Sequence, residues 1–387
     1  MRLAIVASHP IQYQAPLFRE LAKQFDLTVL FVHHATPSDQ AAAGFGVAFD
    51  WDIDLLSGYD HAFLHNVAAV PSLASFAGCD TPELGARLRE GRFHAVLVMG
   101  WHLKSFIQAL VAAKRLAMPV LARGDSHLDT PRSALKRAAK AMTYPALLRL
   151  FDAALYVGER SRAYWEHYGY PAERMFFSPH CVDTDWFRAR ATPEAGNAVR
   201  ARCGITGNSK VVLFAGKLVA FKRPLDLVAA GERLRHDGLN IDILVAGSGP
   251  LADEMTSAAT TSGVKLHHLG FCNQTEMPAV YAASDILVLP SRGETWGLVA
   301  NEALACGKPI ILSDAVGAAP DLADGTTGRT FALGNIETLA EVIGDLLDNP
   351  PSTAAIAAKS RAYSLKAAAE GIYNAVAFVR DKQSDAA

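Results

Sequence analysis

Two glutamates, Glu294 and Glu302, flank a polar loop and the start of a predicted helix within residues 290–312, PSRGETWGLVANEALACGKPIIL. Carboxylate oxygens accept hydrogen bonds from vicinal sugar hydroxyls. The start of a helix offers free backbone N–H groups and the positive end of its dipole to a phosphate. Either glutamate alone would be typical of a solvated surface. Together, in this setting, they predict a site for a ligand with a sugar, a diphosphate and a ribose.

Two lysines, Lys217 and Lys222, bracket a loop that follows a predicted strand at residues 211–215. Two ammonium groups there would neutralise a diphosphate, both when it is bound and as charge grows on a leaving group. The alternative is a pair of solvated lysines, which the nearby carboxylates make less attractive. The next strand ends in Gly247-Ser248-Gly249, which matches neither the dinucleotide-binding nor the P-loop pattern.

Polar side chains also follow three predicted strands of the first half, at residues 3–7, 94–99 and 119–122. Ligands of doubly wound sheets bind at the carboxyl ends of strands, so these side chains predict a cleft wall, although any one of them could simply pack or cap a helix. The candidates are His9, Gln12, Trp101, His102, Arg123, Asp125 and His127.

Three aspartates, Asp50, Asp52 and Asp54, alternate with apolar residues in residues 45–57. Such a cluster can hold a divalent metal on a diphosphate. The alternation instead favours a strand with one solvated face, and we expect that structural role. Asp183 and Asp185 have the same spacing and the same weakness as a metal site.

Alternating apolar strands and helical segments predict two doubly wound α/β domains, 1–188 and 189–366, and a helix over residues 354–379. In the central segment, Thr295 is the expected N-cap of a helix over residues 298–305, and Gly307 its C-cap.

The composition excludes several protein classes. The chain has 387 residues, 50% of them hydrophobic, and a formal net charge of −2, which does not favour a nucleic-acid-binding protein. The five cysteines are scattered without metal-site spacing and suggest a reducing compartment. Without a recognisable signal sequence or an apolar run of about 20 residues, we expect a cytoplasmic protein.

A basic stretch at residues 132–149, RSALKRAAKAMTYPALLR, contains no acidic residue. A basic amphipathic helix of this kind can lie on an anionic membrane surface, at the inner face of a membrane. An ordinary solvated helix face is the alternative, and the stretch alone does not decide between them.

The sequence resembles the family-4 retaining glycosyltransferases, whose two Rossmann-like domains form the GT-B fold. The resemblance rests on the spacing of Glu294 and Glu302, on the segment GKLVAFKRPLDL, and on HCVDTDWF at residues 180–187, which resembles the family's linker. Two departures are Lys217, where the family often has arginine, and His180-Cys181 in place of Asn-Gly.

The resemblance implies that a final helix at about 367–380 returns to the first domain, and it implies roles for individual residues. Glu294 would hold the transferred sugar, Glu302 the ribose, and Lys217 and Lys222 the diphosphate. Further donor-binding positions would be Gly216, Gly247, Gly249, the backbone N–H groups of Gly297 and Leu298, and the base-packing segment Leu269, Gly270 and Phe271.

The implied activity is retaining transfer of a hexosyl group from a nucleotide diphosphate sugar to a glycan or lipid-linked acceptor, in cell-surface polysaccharide synthesis and without a metal or other cofactor. Two alternatives stay open: an isomerase of the nucleotide-sugar 2-epimerase type, and a non-catalytic donor-binding subunit. The first would turn over without an acceptor, and the second would bind donor without turnover.

Overall fold

The structure, a computed structural model, describes residues 1–37, 47–130, 132–207 and 209–384. Internal contacts divide them into two compact units. Unit 1 lies within Met1–Ala35, Asp54–His180 and Leu365–Ala387, and unit 2 within Thr36–Ile53 and Cys181–Ser364. The chain therefore passes between the units after Ala35, Ile53, His180 and Ser364, and the boundary predicted after residue 188 falls inside a helix of unit 2.

Each unit contains one sheet of parallel strands. The strands are β1 Arg2–Ala7, β2 Asp26–Phe31, β3 Asp60–Phe63, β4 Ala95–Val98, β5 Val120–Gly124, β6 Ala153–Tyr156 and β7 Met175–Phe177 in unit 1, and β8 Lys210–Ala215, β9 Ile241–Ala246, β10 Lys265–Gly270, β11 Ile286–Leu289, β12 Ile310–Ser313 and β13 Gly328–Phe331 in unit 2.

Helices connect the strands in both units. They are α1 Gln14–Ala22, α2 Leu84–Glu90, α3 Lys104–Arg115, α4 Ala134–Leu148, α5 Glu159–His167, α6 Thr184–Arg190, α7 Pro193–Arg202, α8 Pro224–His236, α9 Ala252–Ser262, α10 Met277–Ala283, α11 Val299–Ala305, α12 Ala319–Leu322, α13 Ile336–Asp348, α14 Thr353–Ala362 and α15 Leu365–Ser384.

The strand order reverses once in each sheet. The order is β3-β2-β1-β4-β5-β6-β7 in unit 1 and β10-β9-β8-β11-β12-β13 in unit 2. The reversal lies between β1 and β4 in unit 1 and between β8 and β11 in unit 2. In doubly wound sheets the loops that leave the two strands on either side of this point diverge and form a crevice. The predicted two-domain α/β architecture is therefore confirmed at the level of the individual units.

Buried strands explain why the sheets form where the sequence predicts them. Residues 3–7 of β1 and all of β9, β11 and β12 are buried, as expected when helices cover both faces of a parallel sheet. The core of unit 1 centres on the aromatic side chains around Trp165, and that of unit 2 on aliphatic side chains such as Val212 and Ile343.

Three local predictions are wrong. The described residues 47–57 form no strand, and residues 45 and 46 lie outside the described part. Thr295 does not cap a helix, because α11 begins at Val299 with Leu298 at the N-cap position. The continuous helix expected at residues 354–379 is two helices, α14 and α15, because Tyr363 leaves the helical conformation and Ser364 forms a β-bridge with Val182.

Within the described part of the chain, no helix combines the length and the apolar character that crossing a membrane requires.

Candidate donor site in unit 2 and candidate acceptor residues in unit 1

The two loops that carry the predicted catalytic residues leave adjacent strands. β8 pairs with β11 through Val212 and Leu213, so the loop after β8 and the loop after β11 start side by side at the reversal of the strand order. The backbone N–H of Arg292 donates to the carbonyl of Phe221 at 2.7 Å, which ties the loops together. This placement explains why residues about 70 positions apart in the sequence meet.

Lys222 and Glu294 form an ion pair between these loops, through Nζ and Oε1, and their side chains are only 13% and 15% exposed. Lys217 belongs to the same cluster. Burial lowers the pKa of Lys217, the neighbouring Lys222 lowers it further, and Glu294 opposes the change. The structure thus brings together three of the predicted residues as two ammonium groups and one carboxylate in a poorly solvated place. A diphosphate there would meet two cations with little competition from water.

Glycines let the loops after β8 and β9 approach each other closely. A Cβ on Gly247 would lie 1.8 Å from the carbonyl oxygen of Gly216, and one on Gly249 would lie 2.6 Å from that of Leu218. Both glycines also have positive φ angles, +155° and +151°. Their presence therefore has a structural reason of its own, which is close backbone packing beside the lysine loop.

Glu302 lies elsewhere, in α11, and is 8% exposed. The hydroxyl of Tyr281, which lies in α10, donates to its Oε2 at 2.7 Å. Burial raises the pKa of Glu302 to about 7, and the bond from Tyr281 opposes that rise. The two glutamates thus have different surroundings: Glu294 faces a lysine, whereas Glu302 faces a phenol inside the unit.

The segment before α11 is held by backbone and aromatic contacts. Gly297 has φ +102°, and a Cβ there would lie 2.9 Å from Cδ2 of Leu289. Trp296 is buried and donates from Nε1 to Oδ1 of Asn301 at 2.7 Å. α11 has only seven residues. Gly297 and Leu298 stay predicted phosphate contacts, and we do not base the site on the dipole of so short a helix.

The predicted base-packing segment Leu269, Gly270 and Phe271 spans the end of β10, where Gly270 has φ +76° and its carbonyl accepts from Gly247 N at 2.8 Å. The ring of Phe271 lies 4.3 Å from that of Phe49, between centroids. The described residues around Phe49 therefore pack on this part of unit 2.

Aspartates hold the same segment in place, although not as part of the predicted strand. The Asp52 carboxylate accepts from the backbone N–H of Thr275 at 3.1 and 3.2 Å, and the Asp50 carbonyl accepts from Asn273 Nδ2 at 2.9 Å.

In unit 1, two of the predicted acceptor residues serve the fold. Trp101, which follows β4, is 7% exposed and packs with its ring centroid 5.0 Å from that of Trp165. Arg123, in β5, is 3% exposed. Its guanidinium donates to the carbonyls of Ser178 and Pro179 and to Oγ of Ser178, over distances of 2.7–3.3 Å. Both side chains leave little surface for a ligand.

The other predicted acceptor residues lie in the loops after β1, β4 and β5. His9 Nδ1 lies 3.0 Å from Oγ of Ser8. His102 is exposed, with its ring against Phe106, and Gln12 is half-buried. His127 is buried, and burial lowers its pKa.

Asp125 lies beside His180, which the sequence did not indicate as a site residue. Its Oδ2 lies 3.6 Å from Nε2 of His180, and the ring of Tyr13 lies 5.8 Å from the His180 ring, between centroids. Burial lowers the pKa of His180, which favours a neutral imidazole. The departure from Asn-Gly in the linker was the sequence signal for this residue. Tyr281, the partner of Glu302, had no comparable signal.

Comparisons with known proteins point to one class of enzyme. Residues 197–363 match the family model described as glycosyl transferases group 1. Over 202 residues the chain is 33% identical to a D-inositol 3-phosphate glycosyltransferase of Catenulispora acidiphila, covering 49% of this chain and 47% of that one. Over 252 residues it is 28% identical to a GDP-mannose-dependent α-(1-6)-phosphatidylinositol monomannoside mannosyltransferase of Mycolicibacterium smegmatis, covering 62% and 63%. The aligned part thus spans about half the length of the first of these relatives.

A solved structure covers nearly the whole chain. The Anabaena protein HepE, crystallised in complex with UDP, superimposes with a TM-score of 0.73 at 16% identity, covering 97% of this chain and all of that one. At this identity the likeness establishes the fold only. The chain has the GT-B type of fold that the sequence predicts.

Proposed function

We propose that this protein is a retaining glycosyltransferase of family 4, which moves a hexosyl group from a nucleotide diphosphate sugar to a hydroxyl of a glycan or lipid-linked acceptor. The observation that carries the proposal is the cluster of Lys217, Lys222 and Glu294 at the reversal of the strand order in unit 2. The match of residues 197–363 to glycosyl transferases group 1 supports it.

Each charge of the cluster has a role in this reaction. The ammonium groups of Lys217 and Lys222 bind the diphosphate and stabilise the negative charge that develops on it as the sugar leaves. Donor binding replaces the ion pair between Lys222 and Glu294, so that Glu294 accepts hydrogen bonds from the transferred sugar. Glu302 accepts from the ribose, and the segment at Leu269–Phe271 packs on the base.

The reaction exchanges one bond for another at the anomeric carbon. The bond from that carbon to the diphosphate oxygen breaks, and the acceptor oxygen attacks from the same face, so the configuration is retained. The hydroxyl proton passes to the leaving phosphate oxygen. No protein nucleophile takes part, unlike in the two-carboxylate glycosidases. We propose that the reaction needs no metal, because the two lysines supply the positive charge.

The acceptor is proposed to be an intermediate of cell-surface polysaccharide synthesis at the inner face of a membrane. The basic helix α4 supports this, since the side chains of Leu135 and Met142 are 81% and 83% exposed beside its lysines and arginines. Exposed apolar side chains beside cations are typical of helices that contact anionic lipid.

The test uses Glu294→Gln, which removes the charge and keeps the shape. A screen of nucleotide sugars by thermal shift first identifies the donor, because a bound ligand raises the unfolding temperature. With that donor and an acceptor extract, we expect nucleoside diphosphate release to fall by about 10³-fold, the loss typical for a group that stabilises the transition state. Product NMR should show the donor's anomeric configuration.

Glu341→Gln is the matched control, because Glu341 is an exposed glutamate of α13 in the same unit. It should retain wild-type turnover. Wild-type turnover in Glu294→Gln would refute the role of Glu294. Acceptor-independent formation of an epimerised sugar, or donor binding without any turnover, would replace the proposal by one of the two alternatives.

A further inference from the structure

A second cluster of cations lies far from the donor cluster in the sequence, around the start of α4 in unit 1. It lines a cavity of about 600 Å³. The residues that line the cavity are Thr130, Arg132, Ser133, Lys136, Ala139, Lys140 and Tyr144.

Three cations line the cavity together. Lys136 and Lys140 are four residues apart in α4, where such side chains are neighbours, and Arg132 lies just before Ser133, the N-cap residue of α4. No aspartate or glutamate lines the cavity, and among the residues that the structure describes, none of the three forms an ion pair with a carboxylate. The cavity therefore carries three positive charges that the described protein does not balance.

Lys140 shows most clearly that this charge is uncompensated. Its Nζ donates to the hydroxyl of Tyr164 at 2.9 Å and lies 4.2 Å from the ring centroid of Tyr144. Both partners are neutral. Burial lowers the pKa of Lys140 to about 8, and the charge of Arg132 contributes to the decrease. An anion in the cavity would relieve both effects, because it would replace lost solvation and offset the repulsion.

The geometry suits a phosphate better than a carboxylate. A phosphate or diphosphate carries enough charge and enough acceptor oxygens to engage an arginine and two lysines together. Ser133 adds a hydroxyl at the N-cap of α4, where its oxygen accepts from Lys136 N at 3.4 Å and its proton can be donated to a ligand.

We propose that the cavity around Arg132, Lys136 and Lys140 binds a phosphate or diphosphate group of the acceptor substrate. The identity of the acceptor rests on the proposed function, whereas the anion site itself does not. The cavity would select acceptors that carry a phosphate, and it would hold them on unit 1 while unit 2 holds the donor.

The test measures binding of inorganic pyrophosphate by calorimetry. The whole protein is used with Lys217→Gln and Lys222→Gln in place, so that the donor cluster does not compete and no turnover is required. Within this background we expect binding to weaken at least tenfold on adding Lys140→Gln or Arg132→Gln. Arg137→Gln is the matched control, because it removes the same charge from the same helix at a position that does not line the cavity. It should change binding by less than twofold.

Three further outcomes decide whether the phosphate comes from a lipid or from a soluble molecule, and whether the proposal holds. If the Lys140 variant binds vesicles containing phosphatidic acid more weakly than the Arg137 variant does, the site is assigned to a lipid phosphate. Equal vesicle binding of the two, with pyrophosphate binding lost only in the Lys140 variant, would assign it to a soluble phosphate. Equal pyrophosphate binding by both variants would overturn the proposal, because it would show only a diffuse surface charge.

Discussion

The strand order reverses once in each unit and forms the same kind of crevice, but the side chains in the adjoining loops have different roles in the two units. In unit 2 the loops after β8 and β11 bring Lys222 and Glu294 together. In unit 1 the loop after β4 contributes Trp101 to the aromatic core, and the loop after β1 places His9 beside Ser8. Topology thus brings loops together in both units, and among the described residues of these loops it is unit 2 in which opposite charges pair.

Buried arginine and buried lysine show the same contrast. The guanidinium of Arg123 in unit 1 donates to three acceptors of its own unit. One of these acceptors is Oγ of Ser178, which itself donates to the carbonyl of Ala368 at 2.9 Å. Among the described residues, Lys222 of unit 2 pairs with one carboxylate, that of Glu294, which the proposed donor would replace. A charge held by many internal acceptors stabilises the fold, whereas a charge held by one exchangeable partner is available for binding.

The largest effect that tests this contrast is expected for Arg123→Met. The change leaves the carbonyls of Ser178 and Pro179 and the Ser178 hydroxyl buried without their donor, and we expect it to destabilise unit 1 by about 4 kcal/mol. Hydrogen exchange of strands β5 to β7 measures the loss within that unit. Donor affinity, measured by titration of the surviving folded protein, should stay unchanged.

Arg162→Met is the control, since Arg162 pairs at 3.0 Å with Glu166 on the surface of α5 and both side chains are 46% exposed. It should alter stability by about 0.5 kcal/mol or less. If Arg123→Met leaves exchange unchanged and abolishes transfer instead, Arg123 binds the acceptor and the contrast between the units fails.

The sequence predicts more of unit 2 than of unit 1, for a physical reason. Apolar runs locate the strands of both sheets, since a buried parallel strand needs side chains that suit both covered faces. Lys217, Lys222 and Glu294 were recognisable because their charges have no use in a core. The sequence predicts Trp101 in the loop after β4, where it lies, but it predicts Arg123 just after a strand, whereas Arg123 lies inside β5. Residue type and position also do not reveal that a tryptophan packs inward or that an arginine bonds to a carbonyl 55 residues away.

The wrong predictions for residues 45–57 and for Thr295 have the same cause, which is contact with residues far away in the sequence. The pattern at residues 45–57 alternates like a strand, yet the described part is held by Thr275 and Asn273 from a distant loop rather than by a neighbouring strand. Thr295 has the right chemistry for an N-cap, but the carbonyl of Trp296 accepts from Ala318 N and that of Glu294 from Gly317 N, which keeps this segment out of the helix until Leu298. Long-range contacts decided both cases against local propensity.

A second prediction sharpens the comparison inside unit 2, where Glu302 resembles the buried residues of unit 1 more than it resembles Glu294. Its pKa of about 7 in the folded state lies above the usual 4.5, so folding favours the protonated form. The stability that this carboxyl contributes is fully present below pH 4.5 and is lost as the pH rises through about 7, a change of about 3 kcal/mol.

The glutamine in Glu302→Gln cannot ionise, so the variant should not show this loss of folding stability as the pH rises. Urea unfolding of the variant and the wild type at intervals between pH 4.5 and pH 8 should show their difference growing by about 3 kcal/mol in favour of the variant. Nearby Tyr281, Cys272 and Cys306 all have raised pKa values and stay protonated over this range. A difference that does not vary with pH would show that burial does not disfavour the ionised form of Glu302.

The smallest effect tests how far unit 2 depends on a segment from the first part of the chain. The ring of Phe49 packs 4.3 Å from that of Phe271, in the segment proposed to pack on the base, and Asp52 anchors the same stretch to Thr275. An aromatic pair of this kind contributes about 1 kcal/mol beyond its buried area. We therefore expect Phe49→Ala to weaken donor binding about fivefold by misplacing Phe271, while turnover of bound donor stays near the wild-type value.

Phe76→Ala, which removes a ring of unit 1 that is 54% exposed, is the control and should leave donor affinity unaltered. Equal affinities for the wild type and Phe49→Ala would show that unit 2 shapes its base-packing segment without this stretch, whereas a loss confined to turnover would place Phe49 against the acceptor instead.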